Sequence, residues 1–422
     1  MTKEFEALMR LVGAAALGQR VTELPDDLDW QKIEKLAGRQ CVQTLVGYAL
    51  RLSPGLACPQ EIRTRMIADM RRAAFSNNAW KTSVFGLLKE MNDVGIEALL
   101  LKGYAVADCY AAPDCRLSGD TDLLIDPKDE KRACKFMQSK GFGVNPRWEN
   151  GHHAVCSHPQ IGCVELHVQL YDEIVEEVWF GRTDGSEFVK EQPMTIELAD
   201  GSCRTLGYTD HFVFLVLHMI KHFILSGLTI QMMLDVALYF KKHAERIDVD
   251  RLWDMVNRLS YGKLLNSILW AMIRYCGFNA GDFQGICAEA PAEMAAVLDD
   301  LEAGGWMGTE DKAARGEGWD AYNRQLLMKD KSGVQYWLYM IRWKSGMLKS
   351  ALFPGINKIG KQYPCVKKYP ALLPLVWVYR LFNRGFRSIR NGLLTSHIVM
   401  DEDSISAKAK DRIALFRKLN IM

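Results

Sequence analysis

Two apolar strands of this chain carry acid where an apolar run should carry none. Residues 121–125 read Thr-Asp-Leu-Leu-Ile and follow directly on Asp120, and residues 164–166 read Val-Glu-Leu. A carboxylate inside such a run is expensive to bury unless it is paired or holds a cation. Residues two apart on a strand point to one face, so Asp120 and Asp122 repel each other across a few ångströms. A divalent ion between them relieves that repulsion. The pattern asks for a sheet in which these strands are neighbours, with Asp120, Asp122 and Glu165 converging on one side. An isolated Asp-x-Asp is weak evidence, because most are turn or surface acids, so the surroundings must supply the specificity.

The surroundings read as α+β. Residues 1 to about 92 are helical in pattern, with Leu8, Leu11, Val12, Ala15 and Ala16 at helical spacing and Ile67, Met70 and Ala74 likewise. Gly95 closes the helix carrying Glu90 and Met91. Ala98 to Leu101 is a short buried strand, ended by Lys102-Gly103 and followed by a short helix through Ala107 to Tyr110. After the loop from Pro113 to Gly119 and the strand 121–125, Pro127 starts a helix that Gly141 stops. His153 to Cys156 and Cys163 to Leu170 are two further strands. This order predicts a small mixed sheet with helices on one face. From Thr209 the pattern is helical again, with Thr209 or Asp210 as the cap, broken near Gly277 to Gly285 and Gly304 to Gly308.

Composition narrows the classes. The 422 residues exceed one usual domain, and 49% hydrophobic with 25% charged residues suits a soluble globular protein. The 11 cysteines form no CxxC and no zinc-ligand spacing with histidine, which predicts free thiols in a reducing compartment. No signal peptide and no run of about 18 apolar residues is present, so a cytoplasmic location without a transmembrane segment is expected. The net charge of +2 hides an asymmetry: residues 331–400 hold 12 Lys or Arg and no Asp or Glu, leaving 41 basic against 51 acidic residues elsewhere.

The combined motifs carry a resemblance. An apolar strand ends in Lys-Gly (Leu100-Leu101-Lys102-Gly103), then come Tyr110, Arg116, the strand Gly119-Asp120-Thr121-Asp122-Leu123-Leu124-Ile125, and later Val164-Glu165-Leu166-His167. This set resembles the uncharacterised bacterial nucleotidyltransferases of the DNA polymerase beta superfamily, well over residues 95 to 240 and loosely in the flanks. The resemblance implies a polymerase-beta-like core flanked by N- and C-terminal helical regions. It implies two Mg²⁺ ions, with Mn²⁺ as the alternative, held by Asp120, Asp122 and Glu165. A nucleoside triphosphate is the implied substrate, with transfer to an unidentified hydroxyl acceptor. Gly103 would let the backbone approach the triphosphate, and Lys102 and Arg116 would contact phosphate. Many superfamily members have Gly-Ser where this chain has Gly103-Tyr104, and backbone amides or Ser118 are the candidate replacements for the missing hydroxyl, against an ordinary loop role for Ser118.

His167 shares the face of Glu165, as a phosphate or substrate contact or as a structural histidine, and His152-His153 is a weaker candidate for the same cleft. The helix around Leu217 to His222, followed by Gly227, Gln231 and Leu234-Asp235, resembles the His-rich helix of the family. It makes Lys221, His222 and Asp235 candidates for the nucleotide pocket, against local capping and core-edge roles. The near-P-loop at 355–362 lacks its final Ser or Thr and is rejected. Residues 331–400 interleave aromatics with Arg380, Arg384, Arg387 and Arg390 on one helix face. That suits nucleic acid or an anionic surface, or pairing with the acidic remainder of the chain. The expected division is a helical region 1–92, a catalytic domain 93–205, a helical domain 206–330 and a basic aromatic region 331–422. Two readings compete with catalysis: a silent nucleotide-binding module, and a polyanion- or membrane-surface protein acting through 331–400.

Overall fold

The structure is a computed structural model that describes residues 1–147, 152–170, 189–198, 201–283, 287, 289–305, 363, 366, 369–379 and 407–421. The chain divides into two compact units, Met1–Glu310 with Ala414–Ile421, and Asp311–Ile413. The near-P-loop and most of the basic stretch 331–400 lie outside the described residues.

Four helices open the first unit: α1 (Lys3–Ala16), α2 (Trp30–Arg39), α3 (Gln43–Leu52) and α4 (Gln60–Asp93). The Thr2 hydroxyl caps α1 by accepting from the Phe5 amide, and Glu4 and Glu6 sit in the first turn, where negative charge complements the unpaired amides. The 34-residue α4 ends as its glycine predicts. Gly95 adopts φ +72°, and the Ile96 amide donates to Met91 O at 2.9 Å.

The sheet follows: β1 (Ala98–Leu100), β2 (Thr121–Ile125), β3 (Gly143–Asn145), β4 (His153–His158) and β5 (Gly162–His167), in the order β1-β2-β5-β4-β3. Only β2 and β5 run parallel within it; the other neighbours are antiparallel. The mixed sheet expected from sequence is therefore present. Its apolar face carries Leu123, Ile125, Val164, Leu166, Ala154 and Cys156, packed on Val84, Leu87 and Met91 of α4 and on Ala133 and Met137 of α6 (Glu130–Ser139). Pro127 starts a single 3-10 turn that leads into α6, and Gly141 beyond it takes φ +88°.

Some boundaries differ. The helix expected to reach Tyr110 is α5 (Tyr104–Ala107), and 107–110 continue as a turn. Strand β3 and the separate hairpin β6 (Met194–Leu198) and β7 (Gly201–Thr205) were not legible. Strand β3 is too short to show periodicity. The hairpin alternates weakly because Glu197, Ser202 and Arg204 dilute its apolar side.

Five more helices follow among the described residues up to 305: α7 (Tyr208–Leu225), α8 (Ile230–His243), α9 (Val249–Arg258), α10 (Gly262–Tyr275) and α11 (Met294–Ala303). Gly277 and Gly304 break this series with φ +78° and +76°. Neither Thr209 nor Asp210 caps α7. Its N-cap is Gly207, while the Asp210 carboxylate is turned back to accept from the Lys190 and Glu191 amides at 2.8 and 2.7 Å. Near the C-terminus, Phe416 packs edge-on against Phe223 with ring centroids 5.4 Å apart. In the second unit a 3-10 turn at Pro370–Leu372 precedes a helix over 373–379. Ten described cysteines are free thiols, and among the described residues no helix is long and apolar enough to cross a membrane.

Candidate active site

Register decides which side chains meet. In the parallel pair β2–β5, Asp122 stands opposite Glu165 and Leu124 opposite His167. In the antiparallel pair β4–β5, His153 stands opposite His167 and Val155 opposite Glu165. Directly paired positions share a face. The face away from the α4 core therefore presents Asp122, Glu165, His167 and His153 as neighbours.

Their polar atoms converge. Asp122 is buried, and its Oδ1 lies 3.0 Å from His167 Nε2. Glu165 Oε2 is 3.4 Å from His167 Nε2 and 3.7 Å from His153 Nε2. Asp122, Glu165 and His167 each offer one ligand atom within 4.8 Å of the others. Two carboxylates and an imidazole gathered this closely fit a divalent ion. Asp120, just outside β2, is more exposed and stands outside this trio. It joins through Lys102, whose Nζ lies 2.9 Å from Asp122 Oδ2 and 3.5 Å from Asp120 Oδ1. The ammonium thus offsets the repulsion that the sequence predicts between the two aspartates.

The electrostatics follow from these contacts. The His167 hydrogen bond holds the Glu165 carboxyl below the ordinary range even though burial pushes it up, and the neighbouring His153 adds to the effect. Burial lowers His167, and burial followed by the Lys221 charge pushes His152 down to about 2. Burial, then Lys102 and Lys221, lowers His222 to about 4.

Beside the acids a cavity of about 190 Å³ opens between the 102–120 segment and helices α7 and α8. Lys102, Arg116, Ser118 and Asp120 line one side, and His218, His222 and Asp235 line the other. Gly103 sits behind it at φ +70°, where a Cβ would come within 2.8 Å of Ser118 Oγ. That hydroxyl donates to Asp120 O at 2.8 Å and accepts from Arg116 Nη1 at 3.3 Å.

Arg116 and Asp235, both read from sequence as pocket residues, form a buried bidentate pair. Arg116 Nη2 meets Oδ2 at 2.6 Å, Nε meets Oδ1 at 3.1 Å, and the Tyr110 hydroxyl donates to Oδ1 at 2.7 Å. The remaining Nη1 holds Leu117 O at 3.1 Å. Lys221 is absent from the cavity wall and acts through its charge on His152 and His167.

Sequence reading missed Asn77. From the middle of α4 its amide donates to Asp114 O and Arg116 O, both at 3.1 Å, and so fixes the loop that leads to Asp120. A signal existed: Met70, Asn77, Val84 and Met91 recur every seventh residue, and all four are buried. His211 was missed as well. It is fully buried on α7, and its Nε2 bonds Leu101 O at 2.7 Å, tying that helix to the end of β1 just before Lys102.

No curated protein and no solved structure matches the chain. A family described as "Uncharacterised nucleotidyltransferase" matches residues 26–277, more than half of the sequence, and that span contains the sheet, the acids and the cavity. The chain belongs to this family of uncharacterised nucleotidyltransferases.

Proposed function

We propose that the protein is a Mg²⁺-dependent nucleotidyltransferase that moves a nucleoside monophosphate from a nucleoside triphosphate to a hydroxyl acceptor and releases pyrophosphate. The observation that carries this reading is the pairing of Asp122 with Glu165 across parallel strands, beside a cavity whose wall carries the Lys102 ammonium. In the reaction the acceptor oxygen forms a bond to the α-phosphorus, the bond from that phosphorus to the α,β-bridging oxygen breaks and its electron pair leaves with pyrophosphate, and the acceptor proton passes to water. A bound divalent ion would supply positive charge to the phosphates and lower the pKa of the attacking hydroxyl. Asp120, Asp122 and Glu165 are the residues to hold it, within a catalytic domain of about 93–205.

The chain's own groups position and neutralise. Lys102 has a flexible stem and already lies between two carboxylates, so it can turn to the triphosphate when other positive charge takes its place. Arg116, neutralised by Asp235, whose carboxylate also accepts from Tyr110, holds the 116–120 loop in place and orients Ser118. Gly103 keeps the floor free of a side chain. Rate enhancement then rests on positioning and charge stabilisation, without a covalent intermediate.

One observation favours a second reading. The Gly-Ser hydroxyl is replaced by Tyr104, which is buried with its own hydroxyl turned to Asn77, so a nucleotide-binding module that has lost turnover fits the same cavity. Pyrophosphate release from each of the four ribonucleoside triphosphates with Mg²⁺, alongside calorimetry, separates the two. Turnover that Asp122→Ala abolishes supports the transferase. Binding without pyrophosphate release from any of them supports the module. Full turnover in Asp122→Ala removes the assignment.

A further inference from the structure

Next to the carboxylates stands a second group of donors, which shares His167 with the first and adds His152 and His153. His153 opens β4 with His152 just before it, and His167 closes β5 directly across from His153. Each offers one ring nitrogen within 4.8 Å of the others. The ring centroids are 4.4 Å apart for His152–His153 and 5.0 Å for each of these with His167. His152 Nε2 and His153 Nδ1 are 3.2 Å apart. Two nitrogens bound at about 2.0–2.1 Å to one tetrahedral ion stand about 3.4 Å from each other, so this pair already has a chelating separation.

His167 adds the observation that points to a ligand. Its side chain is 7% exposed, and its Nε2 faces the carboxylates. Its other nitrogen, Nδ1, is buried with no hydrogen-bond partner. A buried ring nitrogen without a partner is costly in either tautomer, and a metal bond removes that cost. Metal-bound histidines usually give their second nitrogen to a carboxylate, which fixes the ring and raises its basicity. Glu165 stands where that outer carboxylate belongs for two of the rings, with Oε2 3.4 Å from His167 Nε2 and 3.7 Å from His153 Nε2.

We propose that His152, His153 and His167 form a three-imidazole site for a first-row transition-metal ion of the Zn²⁺ or Co²⁺ type, oriented by Glu165 and lying beside the carboxylate centre. Imidazole donors select such ions over Mg²⁺, which prefers oxygen. His153 is 26% exposed, and a three-histidine ligand set leaves a fourth position for water or a substrate oxygen. The ligands of this site are the three rings, and it shares His167 and Glu165 with the carboxylate centre.

The test is titration of the chelator-stripped full chain with Co²⁺, without nucleotide, followed by visible absorption. One equivalent with intense tetrahedral bands, displaced by Zn²⁺ and not by millimolar Mg²⁺, is expected. His152→Gln and His153→Gln should each abolish the band with unchanged far-UV circular dichroism. Glu165→Gln should weaken binding about 10–100-fold and keep the band. Should a histidine variant fail to fold, nitrogen splitting in the electron paramagnetic resonance spectrum of the Cu²⁺-loaded wild-type chain provides the same reading of the ligands. Asp120→Ala, run in parallel, should keep the Co²⁺ equivalent whatever happens to nucleotidyl transfer, so the two readings fail separately. Oxygen-only ligation, or a band indifferent to both histidine substitutions, overturns the site.

Discussion

Removing the Asp235 side chain isolates the strongest electrostatic commitment in the first unit. Arg116 and Asp235 are 6% and 8% exposed, their guanidinium and carboxylate are matched at two points, and the Tyr110 hydroxyl completes the carboxylate's partners. Asp235→Ala leaves a guanidinium in a nearly closed site with only Leu117 O and Ser118 Oγ to solvate it. Breaking a buried pair from one side costs about 3–5 kcal/mol, because the surviving charge has no replacement for water. The half-exposed pair Lys242–Asp108 in the same unit is the internal control, where Asp108→Ala should cost no more than about 1 kcal/mol. Urea unfolding at pH 7, read as a midpoint shift at constant slope, measures both. The double substitution Arg116→Met with Asp235→Leu should recover most of the loss, since neither charge is then stranded. A cost below about 1 kcal/mol for Asp235→Ala, or a double variant as unstable as the single, would refute the assignment of this pair as the anchor of the 116–120 loop.

Three other outcomes follow from the same geometry. Lys102→Ala strands the buried Asp122 carboxylate, so in chelator it should lose about 1.5–3 kcal/mol that Mg²⁺ restores; an equal Mg²⁺ effect on wild type and variant would show that ammonium and ion do not share a seat. Gly103→Ala forces a Cβ into a φ of +70° and against Ser118 Oγ, so stability should fall by about 1–3 kcal/mol and triphosphate affinity with it; calorimetry at unchanged affinity would contradict the close-approach role. Burial lowers His211 to about 4, against an ordinary value of 6.5. Between those values the unfolded chain takes up a proton that the folded chain refuses, so stability is lost as pH falls from about 6.5 to 4. At about 1.4 kcal/mol per pH unit the loss approaches ~3 kcal/mol. His211→Gln should flatten this dependence by about one proton, and an unchanged slope would place the titration elsewhere.

Much of the fold was legible because its signals are local. Helix ends at Gly95, Gly277 and Gly304 follow from left-handed φ values that glycine adopts without strain, and β2 and β5 follow from short apolar runs. The nearness of Asp122 and Glu165 was legible as well, because a carboxylate in an apolar strand demands a cation and two such strands side by side can share one. Asp210 misled, since an acid at a helix start reads as a cap whether its side chain turns to the helix or to the 190–191 backbone.

The sequence by itself determined most helices, the strands β1, β2, β4 and β5 of a mixed sheet, and the need of its strand acids for a cation, because periodicity, glycine conformations and the cost of buried charge act within a few residues. Tertiary structure alone decided that Arg116 binds Asp235, that Lys102 lies between two aspartates, and that His152 and His153 stand beside His167. Those choices join residues up to 119 positions apart, and they depend on strand register and on how α8 seats against the 116–120 loop. A one-residue slip in register would turn each side chain to the opposite face and disperse the site, and no local preference records which register wins.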